Sequence, residues 1–369
     1  GDLNSLEENW HIDAGSGSAL LVDGGDGKKA LELSRTADGN VVRLFNEKLN
    51  IEESEYPYIS VETRIKLGTQ NHSNQWSIPY IRDKSGKVGY TLFVDGDWND
   101  FKTHVRNSSN KQIAGKAGKG KWHDVRMDID LTKDTFRVSV DDAYVLYDEN
   151  AREKVNNLSN IQFYSDSWNR GTVYIESIKI TGQKKRTESK TSYVSNEGND
   201  LAAGTEESTA WESLSRVNSE HFIPGDKILF RRGDEWKDQT LFPQGNGSEG
   251  SYIKIGSYGS GEIPKISTNG KAQDALCFYN QNYWEISELD ISNTVPGFTQ
   301  TTDNGAPPTG NNAKRNDNDG SFLGDFRGIH ITGRDERYLK GYHIHNVKVH
   351  DVTGEVGWIG NTGLKDKGI

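Results

Sequence analysis

The chain of 369 residues holds one cysteine, one methionine and eight prolines, and only 33% of its side chains are hydrophobic. The lone Cys277 excludes a disulfide framework and any cysteine-based zinc cluster. No apolar run approaches the roughly 20 residues that a membrane-spanning helix needs, so no membrane span is expected. Concentrated positive charge is also missing. The net charge is −10 and divides evenly: residues 1–182 carry 28 acidic and 23 basic side chains, and residues 183–369 carry 26 and 21. Neither half offers the basic surface that binding to a phosphate backbone requires, so nucleic acid is not an expected partner. The only methionine is Met127, so Gly1 does not read as a native start, and a signal peptide or tag is expected to have been removed.

What is present is glycine and aromatic side chain: 40 Gly, 9 Trp, 15 Tyr and 12 Phe. The aromatics are spread along the whole chain, whereas disordered chains are poor in them. With little Ala or Leu, the composition points to a polar, β-rich protein with a thin core. Abundant Asn, Asp, Gly, Ser and Trp is common in secreted bacterial proteins that handle sugars, so a secreted or cell-surface location is expected.

Residues 1–182 read as successive strands. Apolar and polar residues alternate in Tyr58–Ile65, Val125–Leu131, Phe136–Val140 and Val173–Ile180, which places one face on a core and one in water. Turn signals separate the runs: Asp38-Gly39-Asn40, Lys84-Ser85-Gly86-Lys87, Asp95-Gly96-Asp97 and Asp141-Asp142. The pattern predicts an antiparallel β-sandwich. The run Gly120-Lys121-Trp122-His123-Asp124-Val125-Arg126, followed by Phe136-Arg137-Val138-Ser139-Val140-Asp141, resembles the concanavalin-like (laminin-G-like) jelly-roll family. The closing Gly171–Ile180 looks like that family's last strand, which returns beside the first. The resemblance implies a carbohydrate-binding type of jelly roll over nearly all of 1–182.

Residues 183–191 (Gln183-Lys184-Lys185-Arg186-Thr187-Glu188-Ser189-Lys190-Thr191) have no apolar side chain and are expected to form an exposed linker. Beyond it, Thr209–Val217 is expected to be helical, capped by Ser208 or Thr209, with Trp211, Leu214 and Val217 on one face. Short β runs follow and repeat. Ile228 and Ile255 are 27 residues apart, Ile255 and Ile286 are 31 apart, and Ile286 and Ile344 are 58 apart across a polar insertion of about 30 residues. A β run every 25–30 residues suggests stacked coils, and Asn293 and Asn346 at the ends of runs suit turns that need left-handed φ. The residues Pro224-Gly225-Asp226-Lys227-Ile228-Leu229-Phe230, Ile253-Lys254-Ile255-Gly256-Ser257-Tyr258, Tyr283–Asn293 and Val349–Gly354 resemble the right-handed parallel β-helix of the pectate-lyase superfamily. In that family an N-terminal helix covers the open end of the solenoid, a place that suits Trp211–Val217. The resemblance implies an all-β chain with a jelly-roll sandwich over 1–182 and the first coils of a catalytic-type β-helix over 192–369. Only four or five coils precede Ile369 and nothing cap-like follows them, so a second chain is expected to complete the β-helix.

The insertion Thr294–Phe326 is the least regular stretch, and such insertions often line binding sites. In its Asn316-Asp317-Asn318-Asp319-Gly320 run, Asp317 and Asp319 are candidate Ca²⁺ ligands, because Ca²⁺ takes hard oxygen donors; a solvated acidic turn is the other reading. Four histidines cluster late: His330, His343, His345 and His350. Of these, His343 and His345 alternate on one strand and share a face. At a strand end, His350 and Asp351 are candidates for proton transfer. Arg334 is a candidate for binding a substrate carboxylate, or else an ordinary surface ion pair with Asp335. In the first half Trp76, Trp98 and Trp168 fall among Asn and Asp, a setting in which a ring can stack on a sugar while neighbours bond its hydroxyls. Core packing is the alternative for these three. Trp122, in a regular strand, and Cys277, between Leu276 and Phe278, are expected to be buried.

These features favour a secreted enzyme that cleaves glycosidic bonds in a polysaccharide, as a lyase or as a hydrolase, without an organic cofactor. A lyase must neutralise a uronate carboxylate and remove a proton; a hydrolase needs two carboxyl groups. The alternative is a non-catalytic carbohydrate-binding or adhesive surface protein. A tailspike-like protein also fits the solenoid, although such proteins usually lack a leading jelly roll.

Overall fold

A computed structural model describes residues 9–15, 17–25, 27–35, 41–69, 75–95, 100–103, 111–116, 120–165, 171–294, 326–333 and 338–353. The described chain is nearly all β. The first half forms two seven-stranded antiparallel sheets. In one, Trp122–Asp130 pairs with Tyr58–Leu67 so that Met127 lies opposite Val61 and Ile129 opposite Ile59. These residues and Val125 meet Trp76, Ile78, Leu92, Val94 and Phe163 of the facing sheet in a single core. The alternation seen in the sequence is therefore the inside–outside alternation of the pleat. The closing strand, Gly171–Gln183, does not return beside the first strand. It lies between Lys29–Arg35 and Tyr58–Leu67, while His11–Asp13 belongs to the opposite sheet. Its 13 residues present two edges, and both are used, one by each neighbour.

From residue 191 onward the described strands pair in parallel, and one isolated bridge, Ser248 with Ser251, is antiparallel. One ladder stacks Thr191–Val194, Lys227–Arg231, Ile253–Tyr258, Trp284–Ser287 and Tyr342–His345. A second stacks Glu235–Lys237, Lys265–Ser267, Asp290–Asn293 and Lys348–Val352. The register sets Ile228 on Ile255, Ile255 on Ile286 and Ile286 on Ile344, so the recurring isoleucines of the sequence form one column. Trp236, Ile266, Ile291 and Val349 form another. Apart from the exposed last members, Ile344 and Val349, both columns lie in a common interior that is distinct from the sandwich core.

The segment over one end of this interior is less helical than expected. Only Leu214–Ser219 is α-helical, with Ser213 Oγ accepting the Arg216 amide at 3.0 Å, and Glu207–Thr209 is a single 3₁₀ turn. Trp211 does not begin a helix because its backbone is taken by the ladder: its N–H donates to Tyr193 O at 2.9 Å and its carbonyl accepts from Ser195 at 2.8 Å. Trp211, Leu214 and Val217 are nevertheless all buried in the interior. Asn346 takes the left-handed conformation, φ 55°. Asn293 does not; it is buried, and its amide donates to the carbonyls of Ala272, Gln273 and Arg327.

Residues 183–191 are not a free linker. Gln183 exchanges two hydrogen bonds of 2.7 Å with the backbone of His221. Arg186 Nη2 lies 2.6 Å from Asp226 Oδ2, and Asp226 is fully buried. That carboxylate also accepts the amides of Lys190 and Ile223. Lys184, Lys185, Thr187, Glu188 and Ser189 are exposed as expected, while Arg186 and the Lys190 amide serve a buried acid.

The two halves are also joined through a sheet face. Arg126, Asp128 and Asp130 point away from the sandwich core, yet all three are buried. The second half covers them. Asp128 Oδ2 lies 3.1 Å from Arg137 Nε and 3.3 Å from Arg126 Nε. Across the junction Arg137 donates to the carbonyls of Phe242, at 2.8 Å, and Asn218. Arg126 donates to Ser215 O at 2.9 Å and to Ser215 Oγ at 2.8 Å. Tyr144 packs edge-on against Phe242, and Tyr58 stacks on His221 with centroids 3.5 Å apart. Removing the single acid leaves two buried cations without their paired carboxylate, so Asp128→Ala is expected to cost about 3–5 kcal/mol. In the isoleucine column Ile255→Val is expected to cost about 0.5–1.5 kcal/mol. Urea denaturation followed by tryptophan fluorescence measures both.

Candidate functional site

The outer face of the second parallel ladder carries a row of polar side chains. Ser267 Oγ donates to Glu235 Oε1 at 2.7 Å, and Ser292 Oγ lies 3.4 Å from Ser267 Oγ. On the next strand His350 stands directly beside Ser292 in the register. The His350 imidazole is held at both nitrogens: Nε2 lies 2.6 Å from Asp290 Oδ1, and Nδ1 lies 2.8 Å from Asp351 Oδ2. Lys348 Nζ is 4.0 Å from the other oxygen of Asp290. The two carboxylates differ in setting. Asp290 is nearly buried, and the side chain of Asp351 is 74% exposed.

The backbone explains why two successive residues reach the same place. A register shift falls between Ser292 and Asn293, opposite His350 and Val352, so Asp351 has no rung partner of its own. Asp351 takes φ 49°, a left-handed conformation that Asp tolerates better than most residues. The kink turns its carboxylate back toward the ring of His350, and Thr294 Oγ1 donates to the Asp351 carbonyl. The hydrogen bond to Asp351, and after it that to Asp290, raises the pKa of His350 above its ordinary value. Both bonds favour the imidazolium, so the pairs are strongest below the ordinary histidine pKa and weaken as the pH rises through the raised one. This arrangement offers an exposed carboxyl, a sheltered carboxyl and a proton carrier between them.

His350 and Asp351, both singled out in the sequence, are thus brought together. Asp290 was not singled out, because its partner lies 60 residues further along the chain. The signal that could have found it was the alternation of Asp290-Ile291-Ser292, which points the acid outward. Trp76 is not available to a sugar: it is 1% exposed and packs in the sandwich core. Trp122 shows the opposite departure. It is half-buried on the outer face, where Lys66 Nζ lies 4.7 Å from its ring centre. Trp98, Trp168, Arg334, Asp317 and Asp319 lie outside the described residues.

Two further clusters lie nearby in sequence. Asp274, Cys277 and His330 bring a carboxylate, a thiol and an imidazole together. Asp274 is already engaged, with Arg327 Nε at 2.6 Å and the Tyr147 hydroxyl of the sandwich at 3.2 Å. Cys277 is buried as expected, and burial raises its thiol pKa well above the ordinary value. Glu285, His343 and His345 form the second cluster, on the outer face of the first parallel ladder. Its two histidines share a face, with ring centres 4.5 Å apart.

The chain matches no protein-family model. It is 27% identical over 202 residues to a lacto-N-biosidase of Bifidobacterium longum, an alignment that covers 45% of this chain and 12% of that protein. Among solved structures it is similar to the GH136 lacto-N-biosidase of Eubacterium ramulus, at 28% identity and a TM-score of 0.37, over 45% of this chain and 28% of that one. An alginate lyase of Pseudomonas aeruginosa aligns at 12% identity and a TM-score of 0.35, over 45% of this chain and 87% of that one. The chain therefore spans only a minor part of the lacto-N-biosidases it resembles.

The geometry makes a prediction for His350. Asp351→Asn keeps a side chain that tolerates left-handed φ and removes the charge, so the His350 pKa is expected to fall. Asp290→Asn is expected to lower it as well. Titration of the His350 ring resonances by NMR measures both shifts, and an unchanged pKa in both variants would contradict the paired geometry.

Proposed function

We propose that this chain belongs to a secreted enzyme that hydrolyses glycosidic bonds, and that Asp351, His350 and Asp290 act in the reaction. On this reading the sandwich is a jelly roll of the carbohydrate-binding type. The parallel ladders are the first coils of a right-handed β-helix, and the polar outer row is the floor on which a saccharide lies. The observation that carries the proposal is the imidazole of His350 held between one exposed and one sheltered carboxyl.

Glycoside hydrolysis needs one carboxyl to protonate the leaving oxygen and a second to stabilise or attack the sugar centre, or to activate water. Asp351, being exposed, is the group a substrate can reach first, and it relays the Nδ1 proton of the His350 imidazolium to the leaving oxygen. Asp290 is the paired carboxylate. His350 keeps the two in place and passes a proton between them. The sequence likeness to lacto-N-biosidases favours hydrolysis over elimination, and a lacto-N-bioside linkage is the first substrate to try. Ca²⁺ held by Asp317 and Asp319 belongs to the same proposal.

Incubation with lacto-N-bioside-containing oligosaccharides and with uronate polysaccharides separates the chemistries. Hydrolysis is expected to give new reducing ends without the ultraviolet absorbance of unsaturated uronates; that absorbance would indicate a lyase instead. Asp351→Asn and His350→Ala are each expected to lower kcat at least 100-fold, about the lower range for losing a general acid–base group. Full activity in both variants would overturn the assignment. Chelation with EDTA is expected to reduce activity, and added Ca²⁺ to restore it.

A further inference from the structure

We propose that Glu285, His343 and His345 form a binding site for a single divalent transition-metal ion of the zinc class. The site is separate from the Asp290–His350–Asp351 group, which lies on a different ladder.

The convergence of these residues follows from two features of the backbone. His343 and His345 are two residues apart on the strand Tyr342–His345, and period-2 alternation turns both rings to the same face. Parallel pairing in register sets Glu285 directly beside His343. The ligand atoms of all three residues lie within 4.8 Å of one another, and His345 Nε2 is 3.5 Å from Glu285 Oε1. Two donors on one tetrahedral zinc, each about 2.0–2.2 Å from the metal, are separated by roughly 3.4 Å. The His345–Glu285 pair is therefore already at that span, and a small rotation of the exposed His343 side chain closes the remainder.

The other oxygen of Glu285 is 2.8 Å from Lys254 Nζ. That bond, against the penalty of partial burial and helped by His345, holds the Glu285 pKa below the ordinary carboxylate range. Lys254 thus orients the carboxylate from the side away from the histidines, as outer partners of metal ligands do. Two imidazoles and a carboxylate suit Zn²⁺, Ni²⁺ or Cu²⁺ rather than Ca²⁺ or Mg²⁺, which prefer oxygen ligands alone. Three protein ligands at an exposed edge leave a fourth position for water, the ligand count of a zinc site that keeps an open position. The buried Asp274–Cys277–His330 group is the weaker candidate, since both oxygens of its carboxylate are engaged outside the cluster, one by Arg327 and the other by the Tyr147 hydroxyl, whereas Glu285 keeps Oε1 toward His345.

Isothermal titration of the metal-free full chain with ZnCl₂ tests the proposal, with Co²⁺ as a spectroscopic probe. One equivalent is expected to bind, and Co²⁺ is expected to give the visible bands of a four-coordinate ion. His343→Ala/His345→Ala and Glu285→Gln are each expected to weaken Zn²⁺ at least 100-fold, beyond the roughly 10–100-fold that changes to outer partners cost. Circular dichroism confirms that each variant is folded, and Glu285→Gln keeps the side-chain shape. Cys277→Ser/His330→Ala is expected to leave binding unchanged. Absence of Zn²⁺ binding, unchanged affinity in the double histidine variant, or loss of binding in Cys277→Ser/His330→Ala would each overturn the proposal.

Discussion

Asp128 is the charge around which the two halves of the molecule are assembled. Alternation along Trp122–Asp130 sends Val125, Met127 and Ile129 into the sandwich and Arg126, Asp128 and Asp130 outward. An outward face of that kind belongs in water. Here it is sealed by the second half, and a single carboxylate stands between two guanidinium groups. Desolvating such a group is costly unless every donor finds an acceptor. The carbonyls of Phe242 and Asn218 and both oxygens of Ser215, all from the other half, take three of the guanidinium nitrogens, and the Tyr144 hydroxyl takes a fourth. The relative placement of sandwich and ladders is therefore fixed by hydrogen-bond geometry as much as by apolar contact.

Much of the fold is legible in the sequence because it rests on local periodicity. Ile228, Ile255, Ile286 and Ile344 recur where a β run recurs, and they stack. The strand alternation in the first half is equally direct. What escapes is whatever depends on which face of a strand ends up covered. Trp76 follows Ser73-Asn74-Gln75 and reads as a ring in a polar turn, yet pleat parity turns it into the core. Trp122 sits in a regular strand and reads as core, yet the same parity turns it outward with Lys66 beside it. The helix expected at Thr209–Val217 shrinks for a related reason: the backbone of Trp211 has a better offer from Tyr193 than from its own next turn.

The candidate site divides in the same way. His350 and Asp351 are adjacent in the chain, and a sequence can present them as a pair. Asp290 joins them only through the stacking of one strand on another, a relation that no local pattern encodes. The cluster of Glu285 with His343 and His345 is a parallel case, with its acid and its histidines on neighbouring rungs. In both places a parallel ladder acts as a device for collecting side chains from distant stretches of chain onto one exposed row. Each new rung adds one more residue at about 4.7–4.9 Å from the last, which lies within hydrogen-bonding reach for long side chains.

The fastening of residues 183–191 has a thermodynamic consequence. A flexible tether would let the sandwich and the ladders melt separately, each with its own transition. Here Gln183, Arg186 and Lys190 are bound to His221, Asp226 and Glu220, and the sheet face beyond them is shared. Separating the halves exposes the buried charges they share, so a single melting transition is expected, and the boundary between them is a seam rather than a hinge.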